Sequence, residues 1–108
     1  MKTIMKNMEI GDDMVIARTT RRAAGSGIWA IGTMNGHRFE ALVFIAHAEN
    51  PEFELGTSCI SKLWLKEQNG GETVANFDRG WDVRPRTTIA AAIVEFLAAR
   101  LADLVYNS

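Results

Sequence analysis

The stretch Ile60-Ser61-Lys62-Leu63-Trp64-Leu65-Lys66, followed by Gln68-Asn69-Gly70-Gly71 and then Thr73-Val74-Ala75-Asn76-Phe77-Asp78, decides the fold. Side chains alternate faces along a strand, so Ser61, Leu63 and Leu65 point one way while Ile60, Lys62, Trp64 and Lys66 point the other. Asn-Gly-Gly between two such runs is a tight-turn signal, and the two runs pair as an antiparallel hairpin. One face of that hairpin is apolar and must be covered.

The cover follows directly. From Thr88 to Tyr106 the chain is rich in alanine, the strongest helix former. Ile89, Ile93, Phe96, Leu97, Leu101 and Leu104 recur at helical spacing. Thr87 or Thr88 supplies the N-cap hydroxyl. Such a helix is about 28 Å long, enough to cross a sheet. Ile93 and Phe96 are expected to pack on that sheet.

Upstream lie three further strand candidates: Met14 to Arg18, Ile28 to Met34, and His37 to His47, the last two joined by an Asn35-Gly36 type I′ turn. The third is apolar on both faces, Phe39, Ala41, Val43 and Ile45 against Leu42, Phe44 and Ala46, the pattern of a covered central strand. Thr19 to Gly27 and Asn50 to Ser58 read as loops, and residues 1–13 as a loosely ordered lead-in to a single domain over 14–108. The fold class is therefore α+β, an antiparallel sheet of about five strands with one long C-terminal helix across one face.

With 108 residues, a net charge of -1 and 23% charged residues, the chain fits one globular domain, not a polycation or an acidic disordered segment. The N-terminus lacks the apolar core of a signal peptide, and no stretch approaches the roughly 20 apolar residues of a membrane span, so a cytoplasmic, membrane-free protein is expected. Between Thr88 and Tyr106 only Glu95, Arg100 and Asp103 are charged. Together with the two-sided strand, this suggests a homodimer.

Catalytic signals are weak. Cys59, His37 and His47 are the only cysteine and histidines, and they fall in different elements. A nucleophile pair needs hydrogen-bond reach, which is not expected here. His37 and His47 bracket one strand and cannot share a metal within one chain; a single cysteine excludes a multi-cysteine zinc site. Glu49, Glu52 and Glu54 read as a solvated acidic loop. No catalytic residue, metal site or cofactor is expected.

The basic residues carry more information. Arg18, Arg21, Arg22 and Arg38 fall in a stretch without acids, Lys62 and Lys66 flank Trp64, and Arg79, Arg84 and Arg86 surround Trp81. Cations interleaved with aromatics on a sheet are the equipment of single-stranded nucleic-acid binders. The candidate binding set is Arg18, Arg21, Arg22, Arg38, Lys62, Trp64, Lys66 and Arg79, with single-stranded DNA or RNA as the partner. The alternative is a protein-interaction module, an inhibitor or regulator using exposed aromatics. Asp78-Arg79-Gly80-Trp81-Asp82 reads as a structural corner, with Asp78 and Asp82 expected to hold Arg79 or Arg84.

Phe39-Glu40-Ala41, Ile60-Ser61-Lys62-Leu63-Trp64, Ala75-Asn76-Phe77-Asp78-Arg79-Gly80-Trp81-Asp82 and Pro85 together resemble an uncharacterised family of small plasmid- and phage-borne proteins, over roughly residues 27–106. That family carries a glycine-rich stretch with a basic residue where this chain has Gly56-Thr57-Ser58-Cys59. The resemblance implies an accessory protein of a mobile element and supplies no catalytic residue. In plan, strands followed by one long helix are also similar to the single-stranded-DNA-binding fold of transcriptional coactivators, an analogy of fold alone.

Overall fold

A computed structural model describes residues 9–22 and 27–107. Six strands form one antiparallel sheet in sequential order: β1 Val15–Arg21, β2 Ile28–Met34, β3 His37–Val43, β4 Ile60–Glu67, β5 Thr73–Asp78 and β6 Trp81–Val83. One α-helix among the described residues, α1, spans Thr88–Tyr106, capped by the Thr87 hydroxyl, which accepts the Ala90 N–H over 2.9 Å. The sheet has six strands, not five. The additional strand is β6, three residues long and too short for alternation to reveal.

The turns obey their chemistry. Asn35 and Gly36 both take positive φ (51° and 75°), as a type I′ turn requires. The Asn35 side chain also receives the Gly11 N–H over 3.0 Å, and Asp13 receives the Asn35 N–H over 2.9 Å. The last residues of the lead-in are thereby bonded to the β2–β3 turn; residues 1–8 lie outside the described residues, as do residues 23–26 of the expected Thr19–Gly27 loop. β1 runs on to Arg21, so that loop starts later than its composition predicts.

One face of the sheet carries Ala30, Met34, Phe39, Ala41, Val43, Leu63, Leu65, Ala75 and Phe77, all buried against Ala90, Ile93, Leu97 and Leu101 of α1. Ile93 is fully buried as expected. Phe96 is half-buried, and its ring sits against Gly11, where an added Cβ would collide with it. Phe96 therefore holds the N-terminal turn, a role its spacing did not reveal. Glu95, Ala99, Arg100 and Asp103 face outward, so α1 is ordinarily one-sided.

Two corrections concern β3 and β4. β3 ends at Val43, not His47. A register shift between Leu42 and Val43 pairs Val43 with Ile60. That bulge turns Ile60 into the core, where it is fully buried, instead of onto the Lys62-Trp64-Lys66 face.

Candidate functional site

The strand register decides which candidate residues share a face, because directly paired residues lie on the same side of a sheet. Arg18 pairs with Ile31, Ile31 with Glu40, Glu40 with Trp64 and Trp64 with Asn76. The next row runs Thr20, Trp29, Leu42, Lys62 and Asp78; a third brings Thr33, Arg38 and Lys66 together. Arg18, Arg38, Lys62, Trp64 and Lys66 therefore occupy the face that α1 leaves open, joined there by Trp29. Arg21 does not. It pairs with Ile28, which pairs with the core residue Val43, and so falls on the helix side.

The open face mixes charged, apolar and aromatic side chains, and several of its charged groups are partnered among themselves. Lys66 lies over the Trp64 ring, 5.2 Å from its centroid, and the Trp64 indole N–H donates to the Thr73 hydroxyl over 3.1 Å. Arg38 pairs with Glu40 at 3.2 Å and Lys62 with Asp78 at 3.6 Å. All four of these side chains are a third to a half exposed, so each pair contributes about 0–1 kcal/mol and is easily exchanged for another anion.

The β5–β6 corner is tight. Arg79 and Gly80 have φ of 53° and 143°, and the Asp78 N–H donates to the Gly80 carbonyl over 2.8 Å. Trp81 meets Phe77 edge-on at 5.2 Å. The expected ion pairs within the motif are replaced by ring contacts: Asp78 goes to Lys62, Arg79 lies over Phe53 at 5.5 Å, and Arg84 over Trp81 at 6.0 Å. The reason is directional. With Arg79 at positive φ its side chain leaves toward the 44–59 loop.

The 44–59 loop departs most from the pattern its sequence suggests. After Val43 the chain leaves the sheet and returns beside itself: the Phe44 N–H donates to the Cys59 carbonyl over 2.9 Å and the Leu55 N–H to the Ile60 carbonyl over 2.8 Å. A 3-10 turn, Pro51–Phe53, is capped by Asn50. His47, read as the end of a strand, and Cys59, expected in a different element, thereby come together: Cys59 Sγ is 3.5 Å from His47 Nδ1. Glu54, read as part of a solvated loop, is buried; its Oε2 accepts from His47 Nδ1 over 2.8 Å and its Oε1 accepts the Ala48 N–H over 2.8 Å. Glu49 and Glu52 remain exposed. Cys59 has a φ of 67°, the left-handed region that costs an ordinary residue about 1–2 kcal/mol.

The electrostatics of this cluster are mutual. Burial alone raises the Glu54 carboxyl, but the Ala48 N–H, the His47 ring and its charge, and the Cys59 N–H outweigh it and hold the group below its ordinary value. Burial and the Glu54 charge push the Cys59 thiol up. Cys59 and Glu54 both address the same ring nitrogen. A nucleophile relay uses the two imidazole nitrogens separately, so this is not that geometry.

The cluster forms one wall of an open cleft of about 660 Å³, whose other walls include Arg22, Trp29, Phe44, Phe53, Lys62 and Arg79. Arg22 lies 5.9 Å from the centroid of the Phe44 ring. Three of the predicted basic residues thus converge on the cleft. A smaller hollow beside it shares Trp29 and Lys62 and adds Trp64, Glu40, Asn76 and Asp78.

A family model described as a domain of unknown function (DUF7678) matches residues 28–102, from the start of β2 into the last turns of α1. No curated protein and no solved structure matches the chain. Among the described residues no helix is long and apolar enough to cross a membrane.

Proposed function

The chain belongs to the DUF7678 family, and we propose that it is a non-enzymatic accessory protein that binds single-stranded nucleic acid on the helix-free face of its sheet. The observation that carries this is the register: Arg18, Arg38, Lys62, Trp64, Lys66 and Trp29 fall on one open face. The cleft at its end adds Arg22 and Arg79 beside Phe44 and Phe53. Cations that track a phosphate backbone, next to rings that stack on bases, are what such binding needs. Weak exposed ion pairs on the face give way to phosphate at little cost. The setting in a mobile element rests on the motif resemblance.

Titration of a fluorescent single-stranded oligonucleotide, DNA and RNA in turn, at several salt concentrations tests the proposal. Each neutralised phosphate releases counterions, so affinity should fall steeply with salt, by about 0.7 in log-log slope per contact. Absence of binding at low salt overturns it.

A second reading is favoured by a separate observation. Ile45 is 74% exposed and Phe53 43%, and both line the cleft. Apolar side chains held in water at a site mark a protein-interaction surface, on which the chain acts as an inhibitor or regulator. A second copy of the chain belongs to the same proposal: β1 is an edge strand with Val15 55% exposed, and pairing of two β1 edges would make a homodimer. Sedimentation equilibrium distinguishes a dimer from a monomer.

A further inference from the structure

We propose that His47 Nδ1, a Glu54 carboxylate oxygen and Cys59 Sγ form a three-residue site for a borderline-soft divalent cation of the zinc class, with its fourth position open to the cleft. The three ligand atoms lie within 4.8 Å of one another. This site is independent of the nucleic-acid reading.

The chemistry of the donor set selects the metal class. One imidazole nitrogen, one carboxylate oxygen and one thiolate suit zinc and its tetrahedral substitutes; calcium and magnesium take oxygen alone. For bond lengths of about 2.3 Å to sulfur and 2.05 Å to nitrogen, a tetrahedral centre separates the two donors by about 3.5 Å. The distance from Cys59 Sγ to His47 Nδ1 is 3.5 Å. The Nδ1 to Oε2 separation of 2.8 Å is that of a hydrogen bond and must open by about 0.5 Å to admit the ion.

The surroundings are those of a built ligand set. The Glu54 side chain is only 6% exposed, yet its sole side-chain partner among the described residues is a histidine that is itself 64% exposed. Its second oxygen is fixed by the Ala48 N–H, the kind of outer hydrogen bond that orients metal ligands. Cys59 is held at positive φ, and its carbonyl accepts the Phe44 N–H that closes the root of the loop. Two donors converging on one ring nitrogen make poor relay geometry and good ligand geometry.

The protons balance. The cation displaces the thiol proton of Cys59, which passes to solvent. Starting from the neutral imidazole, it also displaces the Nδ1 proton of His47, and the ring carries its one proton on Nε2 instead. One thiolate and one carboxylate then neutralise the two positive charges, with a net release of one proton per ion. Three protein ligands leave the fourth position to water or to an anionic group of whatever occupies the cleft, where Arg22, Lys62 and Arg79 supply further positive charge.

Cobalt(II) titration of the full chain, reduced and stripped with chelator, tests the site. The expected result is a thiolate-to-cobalt charge-transfer band saturating at one equivalent and bleached by zinc. Cys59→Ser should abolish the band. His47→Gln, a change at an exposed side chain whose folding is checked by circular dichroism, should weaken cobalt and zinc binding at least about tenfold, since even outer-shell partners cost that much. Absence of the band in the wild-type chain overturns the proposal. So does a band whose affinity is unchanged by His47→Gln, which would mark a lone thiol collecting metal. Oligonucleotide binding by the stripped protein, measured separately, reports on the other reading alone.

Discussion

The Tyr106 hydroxyl donates to the Val43 carbonyl over 2.7 Å, tying the last residue of the helix to the last residue of β3. Val43 is where the chain leaves the sheet for the 44–59 loop, so one hydrogen bond secures both the helix end and the root of the loop. Burial pushes the Tyr106 hydroxyl up, against the lowering effect of Arg21, which keeps it a donor. Tyr106→Phe should destabilise the fold by about 1 kcal/mol, because a part-buried carbonyl loses its partner. Urea denaturation measures this. Amide exchange should quicken in the loop more than in β2.

Gly32 has no room for a side chain. A Cβ there would strike the Val15 carbonyl and come within 2.8 Å of the Phe39 ring. Phe39 is fully buried at the centre of the core, so it cannot yield freely, and the bulge after Ile16 brings the β1 backbone close. Gly32→Ala should therefore cost about 1–3 kcal/mol as overpacking. A denaturation midpoint equal to that of the wild type would show that β1 shifts without penalty.

What was legible in the chain were the elements whose signals are local. Asn35-Gly36 specifies its own turn, alternation exposes β4 and β5, and the alanine-rich run from Thr88 specifies α1. The face shared by Lys62, Trp64 and Lys66 was equally plain, but whether Arg18 and Arg38 joined it depended on register, which alternation in one strand cannot set. Arg21 shows this: three residues from Arg18 on a regular stretch it must take the opposite side, but that Arg18 and not Arg21 joins the open face is set by the pairing with β2 after the bulge at Ile16. The His47–Glu54–Cys59 cluster was not legible. Its spacings of seven and five residues match no metal motif, and the apolar run through Ile45 concealed the end of β3. The one available signal was that Phe44, Ile45 and Ala46 precede the Glu-Asn-Pro stretch, where a strand has to stop.

Because Arg21 lies on the helix side, it provides a control for the proposed nucleic-acid face. Trp64→Ala should lose a stacking platform worth roughly 1–3 kcal/mol. Lys66→Ala should weaken binding to every sequence and reduce the salt slope by about one unit, and it also uncovers the Trp64 ring. Arg21→Ala should leave both affinity and slope unchanged. Circular dichroism must first show that the Trp64 variant folds, since the indole is half-buried and bonded to Thr73. Equal losses from Arg21→Ala and Lys66→Ala would mean that binding follows net charge and not the open face.

Glu54 makes the metal-free protein sensitive to acid. Its carboxyl is held below the ordinary value of 4.5 in the folded state, by the Ala48 N–H and by His47, against the opposing effect of burial. A depressed folded value means that the unfolded chain binds the proton first. The stabilisation is therefore complete above the unfolded value and is lost as pH falls through the folded one. The Cys59 thiol is displaced upward and stays protonated throughout that window. Glu54→Gln keeps an oxygen for the Ala48 N–H but removes the charge. In chelator, the wild type should be the more stable of the two at neutral pH. The difference should shrink steadily below about pH 4.5, the ordinary carboxylate range. Denaturation midpoints of both chains at neutral pH and in that acid window provide the measurement. A difference independent of pH would show that Glu54 acts through packing and not through its charge.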